Sequence, residues 1–271
     1  MTPLATVVLA ANPNPMTLDG TNTWLLRAPG SDEVIVVDPG QGGDDHLDLL
    51  LGAAPDIAVV LLTHGHFDHS QTAAELHDRT GAPIRAVDPA FCHGGQPLVD
   101  GVVFEAAGLR LRVVATPGHT SDSASFVLSA AALASSSEVS VSVSADGEPL
   151  AVLTGDTILG RGTTVVAHPD GNLRDYLDSL HRLGALGGLR VLPGHGPELP
   201  SVREAAEFYL SHREERLVQI RDALRSLGPE ATPRAIVELV YADVDEAVWW
   251  AAELSVNAQL EYLLDPRRRP S

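Results

Sequence analysis

At 271 residues, 44% of them hydrophobic and 20% charged, the chain has the composition of a folded globular protein, which excludes disorder, collagen and coiled coil for its bulk. Acidic residues outnumber basic ones 36 to 18 for a net charge of −18, and every basic residue is arginine; this excess reads as a solvated surface that repels polyanions at long range. Cys92 is the lone cysteine and no run of about 18 apolar residues occurs, so neither a disulfide scaffold nor a membrane-spanning helix is expected.

Residues 6–9 are apolar, and the first basic residue is Arg27. This opening is read as a strand and not as a secretory leader, which places the protein in the cytoplasm with no membrane partner. Strands follow at 23–26 and 34–37, the second ending in Asp38-Pro39-Gly40. Leu47, Leu50 and Leu51 give helical spacing to 44–53. The continuous apolar run 57–62 predicts a strand buried on both faces, and Ser70 is expected to cap a helix that runs to Gly81. Further strands are predicted at 84–87, 102–104, 109–114, 125–128 and 150–153, a helix at 172–186, and a strand at 189–192. Between them, 129–148 is rich in Ser and Ala; the alternation of Val139, Val141 and Val143 predicts an exposed hairpin inserted between core strands. From Ser201 the strands stop. Helices are predicted at 201–227, from Thr232-Pro233 onward, and at 243–264, with Trp250 in the core at helical spacing to Leu254. The chain therefore reads as an α/β domain over 1–199 followed by a small helical domain over 200–271, with no internal repeat.

The chemistry concentrates after the 57–62 strand. His64, His66, Asp68 and His69 place three imidazoles and a carboxylate within six residues. These are the ligands that borderline divalent metals prefer, and clustered imidazoles repel on protonation unless a metal keeps them neutral. His119, Asp156 and His195 each follow a later apolar run and each has an adjacent glycine, which lets backbone approach a site closely. If those strand ends converge, seven ligands are available, enough for two metals with a shared carboxylate.

In the order His-x-His-x-Asp-His, His, Asp, His, these residues resemble the ligand set of the metallo-β-lactamase-fold hydrolases. The resemblance implies an αββα sandwich with two zinc ions per chain at one edge. His64, His66 and His119 would hold one zinc, Asp68, His69 and His195 the other, and Asp156 would bridge them. Turnover would rest on Asp68, His69 and Asp156. Asp38 matches a position whose carboxylate supports the metal loop from behind. Structural zinc sites are closed and rich in thiolate. This set has no cysteine, which points to catalysis: a metal-bridging hydroxide attacking a carbonyl carbon or a phosphorus.

Several stretches narrow the resemblance. Asn12-Pro13-x-Pro15-Met16-Thr17-Leu18-x-Gly20-Thr21-Asn22-Thr23, Gly155-Asp156-Thr157-Ile158-Leu159-Gly160-x-Gly162-Thr163-Thr164-Val165, Pro193-Gly194-His195-Gly196-Pro197 and Ser211-His212-Arg213 resemble the β-lactamase-like protein 2 family, which includes an endoribonuclease. That likeness implies single-stranded RNA as the substrate and a winged-helix-like tail. Asp265–Pro270 is too short and too charged for the hairpin of a wing, so no clear wing is expected. A small ester or thioester, as in the glyoxalase II branch, is the alternative substrate. A non-catalytic scaffold would show a lost ligand, and all seven are present. Arg267, Arg268 and Arg269 read either as a phosphate contact or, more blandly, as a solvated terminus. His168 is a candidate general acid set against the plainer reading of a surface histidine. Thr163 and Thr164 are read as contacts to a substrate oxygen or as caps of the Asp156 loop.

Overall fold

The computed structural model of the chain describes residues 4–42, 44–130 and 148–265. Two five-stranded sheets lie at its centre. The first comprises β1 (Ala5–Leu9), β2 (Asn22–Leu26), β3 (Val34–Val37), β4 (Ile57–Leu61) and β5 (Ile84–Arg85) in that order. It is antiparallel up to β3 and parallel beyond. The second comprises β6 (Val103–Ala106), β7 (Leu109–Ala115), β8 (Ala124–Ala130), β9 (Pro149–Gly155) and β10 (Arg190–Pro193), antiparallel except for the parallel β9–β10 pair. Helices α1 (Asp44–Ala53), α2 (Phe67–Ser70) and α3 (Ala73–Thr80) accompany the first sheet. Helix α4 (Leu173–Gly184) lies between β9 and β10, and α5 (Val202–Leu227), α6 (Pro233–Val240) and α7 (Trp249–Leu264) follow the second sheet.

Successive strand residues point to opposite faces, and here both faces are covered. Trp24, Leu26, Ile35, Val37 and Leu61 face the other sheet, where they meet Leu109, Leu111, Phe126, Leu128 and Leu153. Their neighbours Leu25, Val36 and Val60 face Leu47, Leu50 and Leu76 of α1 and α3. On the far side, Val127, Val152 and Val191 pack against Tyr176, Leu180 and Leu183 of α4 and against Val202 and Tyr209 of α5. The result is an αββα sandwich. Double coverage is why the strands read as unbroken apolar runs and not as alternating ones.

The 26-residue helix α5 contributes to two cores. Its first half packs on the second sheet; Ile220 and Ala223 of its second half join Ile236, Val237, Trp249 and Val256 of α6 and α7. Ser201 and Thr232 cap α5 and α6, accepting the Glu204 and Ala235 amides. Among the described residues from 200 onward there are helices and no strand. No helix among the described residues is long and apolar enough to cross a membrane. The hairpin predicted around 139–143 and the Arg267–Arg269 run lie outside the described residues.

Two local expectations are corrected. Ser70 does not open the helix that runs to Gly81: it ends α2, and its hydroxyl donates back to the Gly65 and His66 carbonyls. That leaves it unable to cap α3, which starts at Ala73. The phase of the last helix also differs, because a 3-10 turn over Glu246–Val248, capped by Asp245, delays its start to Trp249. Trp249, Ala252 and Val256 then share the buried face. Trp249 is 8% exposed, and its indole donates to the Val244 carbonyl at 2.9 Å. Trp250 is 56% exposed and outside the core. Trp249→Ala should therefore lower the unfolding free energy by about 3–5 kcal/mol, and Trp250→Ala by no more than about 0.5 kcal/mol. Urea denaturation followed by circular dichroism measures both, and the reverse ranking would contradict this packing.

Candidate metal centre

Strand direction brings the chemistry to one edge. β3 and β4 are parallel, β7 and β9 both run against β8, and β10 runs with β9. Cross-sheet bonds hold these carboxyl ends together: the Ala124 amide donates to the Thr63 carbonyl at 2.7 Å, and the Asn22 amide to the Gly194 carbonyl at 2.8 Å. The Asn22 side chain adds donation to the Pro193 and Gly196 carbonyls. Asp38 emerges from β3, the His64–His69 segment from β4, His119 from β7, Asp156 from β9 and His195 from β10. Gly194 lies so close that a Cβ there would be 2.6 Å from Asp156 Oδ1 and 2.8 Å from His69 Cε1. Only glycine lets this loop approach.

Four imidazoles are oriented by their Nδ1 atoms. His119 Nδ1 donates to the Val165 carbonyl at 2.7 Å, and His195 Nδ1 to the Gly20 carbonyl at 3.2 Å. His69 Nδ1 donates to Asp38 Oδ2 at 2.9 Å. The Thr63 hydroxyl gives its hydrogen to Asp38 Oδ2 at 2.7 Å and accepts from His64 Nδ1 at 3.1 Å. Each ring is thereby left with Nε2 as its free ligand atom. His119 Nε2 lies 3.1 Å from His66 Nδ1, and His69 Nε2 lies 3.2 Å from His195 Nε2. The carboxylate of Asp156 reaches both sides: Oδ2 lies 3.3 Å from His195 Nε2 and 3.7 Å from His119 Nε2. Asp68 Oδ2 lies 3.1 Å from His195 Nε2.

All seven predicted ligands thus meet, in the groups His64–His66–His119, Asp68–His69–His195 and His64–His69–Asp156, with ligand atoms within 4.8 Å in each. The donor set fits divalent ions. His64 Nε2 is buried with no hydrogen-bond partner, an arrangement that is costly unless a cation takes the lone pair. Imidazole and carboxylate are the donors such ions accept. His66 and Asp68 face the cleft, whereas His64, His69 and His195 are buried, so the cluster opens on one side only.

The charges are strongly coupled. Burial disfavours protonated His64 and, with repulsion from His69, holds it well below the usual imidazole range. Burial also lowers His119. Burial acts the same way on His69 and His195, but carboxylates outweigh it: Asp156 and Asp38 raise His69 well above its ordinary value, and Asp156 with Asp68 pushes His195 up to about 9. In return, against its own burial, Asp156 is held well below the carboxylate range by His195 and His69.

Other candidates fall elsewhere. His168 is 3.9 Å from Glu261 of α7 and does not line the cleft. Thr164 is buried and turns its hydroxyl toward His119 Nδ1 at 3.3 Å, touching a ligand and not the Asp156 loop. Thr163 lines the cleft. Residue patterns did not single out Thr63, the Gly20 and Val165 carbonyls or Arg213 by function. Thr63 directly precedes His64, and that adjacency was its one available signal.

Comparison with known proteins agrees with this geometry. The family described as "Metallo-beta-lactamase superfamily" matches residues 16–195, and the "Beta-lactamase associated winged helix domain" matches residues 232–267. A beta-lactamase-like protein 2 homolog of Caenorhabditis elegans is 32% identical over 270 residues, covering 95% of this chain and 83% of the relative. An atrochrysone carboxyl ACP thioesterase of Aspergillus fumigatus is 31% identical over 238 residues, covering 85% and 68%. The crystal structure of a metallo-beta-lactamase family protein of Thermus thermophilus superposes with a TM-score of 0.75 at 24% identity, covering 96% of this chain and 93% of that one.

Two outcomes follow from the site's electrostatics. Ligation requires neutral imidazole, so loading the metal-free protein at pH 7 should release protons from His69 and His195, and affinity should rise with pH through the range in which these raised imidazoles, His195 at about 9 among them, lose theirs. Calorimetry in two buffers of different ionisation enthalpy measures this; identical apparent enthalpies would contradict it. Asp38→Ala removes the acceptor of His69 Nδ1 and should weaken metal binding by about 10–100-fold, read by chelator competition.

Proposed function

Because the chain belongs to the metallo-β-lactamase superfamily and is a metal-dependent hydrolase, we propose that it binds two zinc ions and hydrolyses a compact carboxylic thioester or ester. The observation that carries the choice of substrate is the wall of the cleft over the ligand cluster. This cleft, of about 280 Å³, is faced by Pro15, Met16, Leu18, Leu159 and Val165. Its sole arginine, Arg161, is paired through both terminal nitrogens with Asp19. An apolar wall with few placed polar groups suits an acyl group; tracking a phosphate backbone takes several basic contacts, each releasing counterions. A net charge of −18 works in the same direction.

The cleft continues, through Pro15, Met16 and 163–165, into a groove of about 290 Å³ against the C-terminal helices, faced by Tyr241, Val244, Val248 and Ala251. The arginines there are engaged, Arg213 with the Thr164 carbonyl and Arg216 with the Val240 carbonyl and Gln219. The groove offers room for the non-reacting part of a substrate. The name of the Aspergillus thioesterase supports an acyl substrate. Single-stranded RNA is the second reading, favoured by the winged-helix match at 232–267, whose helices wall this groove.

Bound ions would supply a water molecule of near-neutral pKa and stabilise developing negative charge on the substrate oxygen. The chain's own part is orientation. Asp38, Thr63 and the Val165 and Gly20 carbonyls fix four imidazole tautomers, and the apolar residues of the cleft give an acyl group a surface to lie against. Metal analysis should return two zinc ions per chain. Thioester and ester panels should show turnover that falls by more than about 100-fold in Asp68→Ala/His69→Ala with the circular dichroism spectrum retained. Cleavage of labelled single-stranded RNA by the unmodified chain, with no ester turnover, would replace the acyl reading by the RNA one.

A further inference from the structure

Helix α5 sends a buried guanidinium toward the ligand cluster. Arg213 is 4% exposed, and its Nη2 donates to the Thr164 carbonyl while the group lies 5.1 Å over the Tyr176 ring. Among the described residues no carboxylate pairs with it, and its Nε is buried without a hydrogen-bond partner. A buried cation whose partners are one carbonyl and the Tyr176 side chain, with no carboxylate, is costly. What sets Arg213 apart is the peptide it holds. Thr164 O accepts from Arg213; the next carbonyl, Val165 O, accepts from His119 Nδ1 at 2.7 Å.

The segment that carries these carbonyls, 157–172, has neither helix nor strand. Tyr176 and Tyr209 brace its start, the first donating to the Thr157 carbonyl at 2.7 Å and the second accepting from the Leu159 amide at 2.9 Å. Burial pushes both phenols well above their ordinary range, so both stay neutral. The segment's end is tied by the Asn172 amide to the Gly118 carbonyl at 2.9 Å, and Arg213 braces its middle, one peptide before the carbonyl that orients His119. We infer that Arg213 is a positioning residue that sets how tightly the His64–His66–His119 group holds a divalent ion, though it is not itself one of the ligands.

The inference rests on the reading of that group as an ion site, and the test separates the two. Metal-free protein is titrated with zinc against a chromophoric chelator that resolves two binding events, and His119→Ala identifies which event belongs to its group. Arg213→Met, matched in length, should weaken that event by about 10–100-fold and leave the other unchanged. Arg213→Lys, which keeps a donor, should restore most of the loss. In the double variant Arg213→Met/His119→Ala, the arginine change should add nothing, because both act through one ring. Equal weakening of both events, or of neither, would overturn the role of Arg213 while leaving the metal centre intact. Failure of the unmodified chain to bind zinc would overturn both. Should Arg213→Met not fold, Arg213→Gln, too short to reach the Thr164 carbonyl, replaces it: the event assigned through His119→Ala should weaken and the ¹⁵N signal of His119 Nδ1 should shift, and a titration and spectrum equal to those of the unmodified chain would overturn the inference.

Discussion

The centre depends on one carboxylate. Asp38 is 1% exposed and sits at φ +51°, in the left-handed region that Asp tolerates better than most residues. There it accepts from the Thr63 amide at 2.8 Å, from the Thr63 hydroxyl and from His69 Nδ1. Its own carbonyl accepts from Thr23 at 2.7 Å. Three strands of the first sheet are thereby tied to one another at the edge where the ligands emerge, and His69 is turned with Nε2 toward the cluster. A buried carboxylate with three donors is well satisfied, so the strained backbone is held by the bonds it makes possible.

The same logic recurs around the ring of histidines. Each orienting acceptor comes from a different part of the chain: Asp38 for His69, Thr63 for His64, Gly20 for His195 and Val165 for His119. With those Nδ1 positions taken, ring nitrogens crowd one another at hydrogen-bond distance, His69 Nε2 against His195 Nε2 and His119 Nε2 against His66 Nδ1. That geometry is favourable only if a proton or a metal ion lies between them. Protons are accommodated on His69 and His195, where the carboxylates compensate, and are disfavoured on His64. The site is therefore poised to exchange protons for metal, and its affinity is tied to pH.

That these seven side chains converge was legible in the sequence, because four of them lie within six residues and the rest follow apolar runs. The strands were legible too, since double coverage turns them into continuous hydrophobic stretches. What could not be read was everything held by a main-chain carbonyl. The Val165 and Gly20 acceptors have no residue-type signature, and Arg213 finds Thr164 across 49 positions. The phase error at Trp250 has a different cause: a three-residue 3-10 turn shifts the helix that follows, and periodicity within the helix does not reveal where it starts. The RNA reading came from family likeness. The acyl proposal instead starts from the cleft wall, whose chemistry, unlike ligand spacing, is assembled from distant segments.

A division at Pro200 places α5 wholly in the tail, yet its first half packs on the second sheet and carries Val202, Tyr209 and Arg213 toward the edge that bears the histidine cluster. Its second half builds the core with α6 and α7. One helix thus contributes to two cores and, through Tyr209 and Arg213, contacts the 157–172 segment that carries the acceptor of His119. Groove and metal centre then share a wall, since 163–165 faces both. A substrate arm seated against α7 would press on the same peptides that hold a ligand ring. The C-terminal helices therefore belong to the architecture of the site as well as to its boundary.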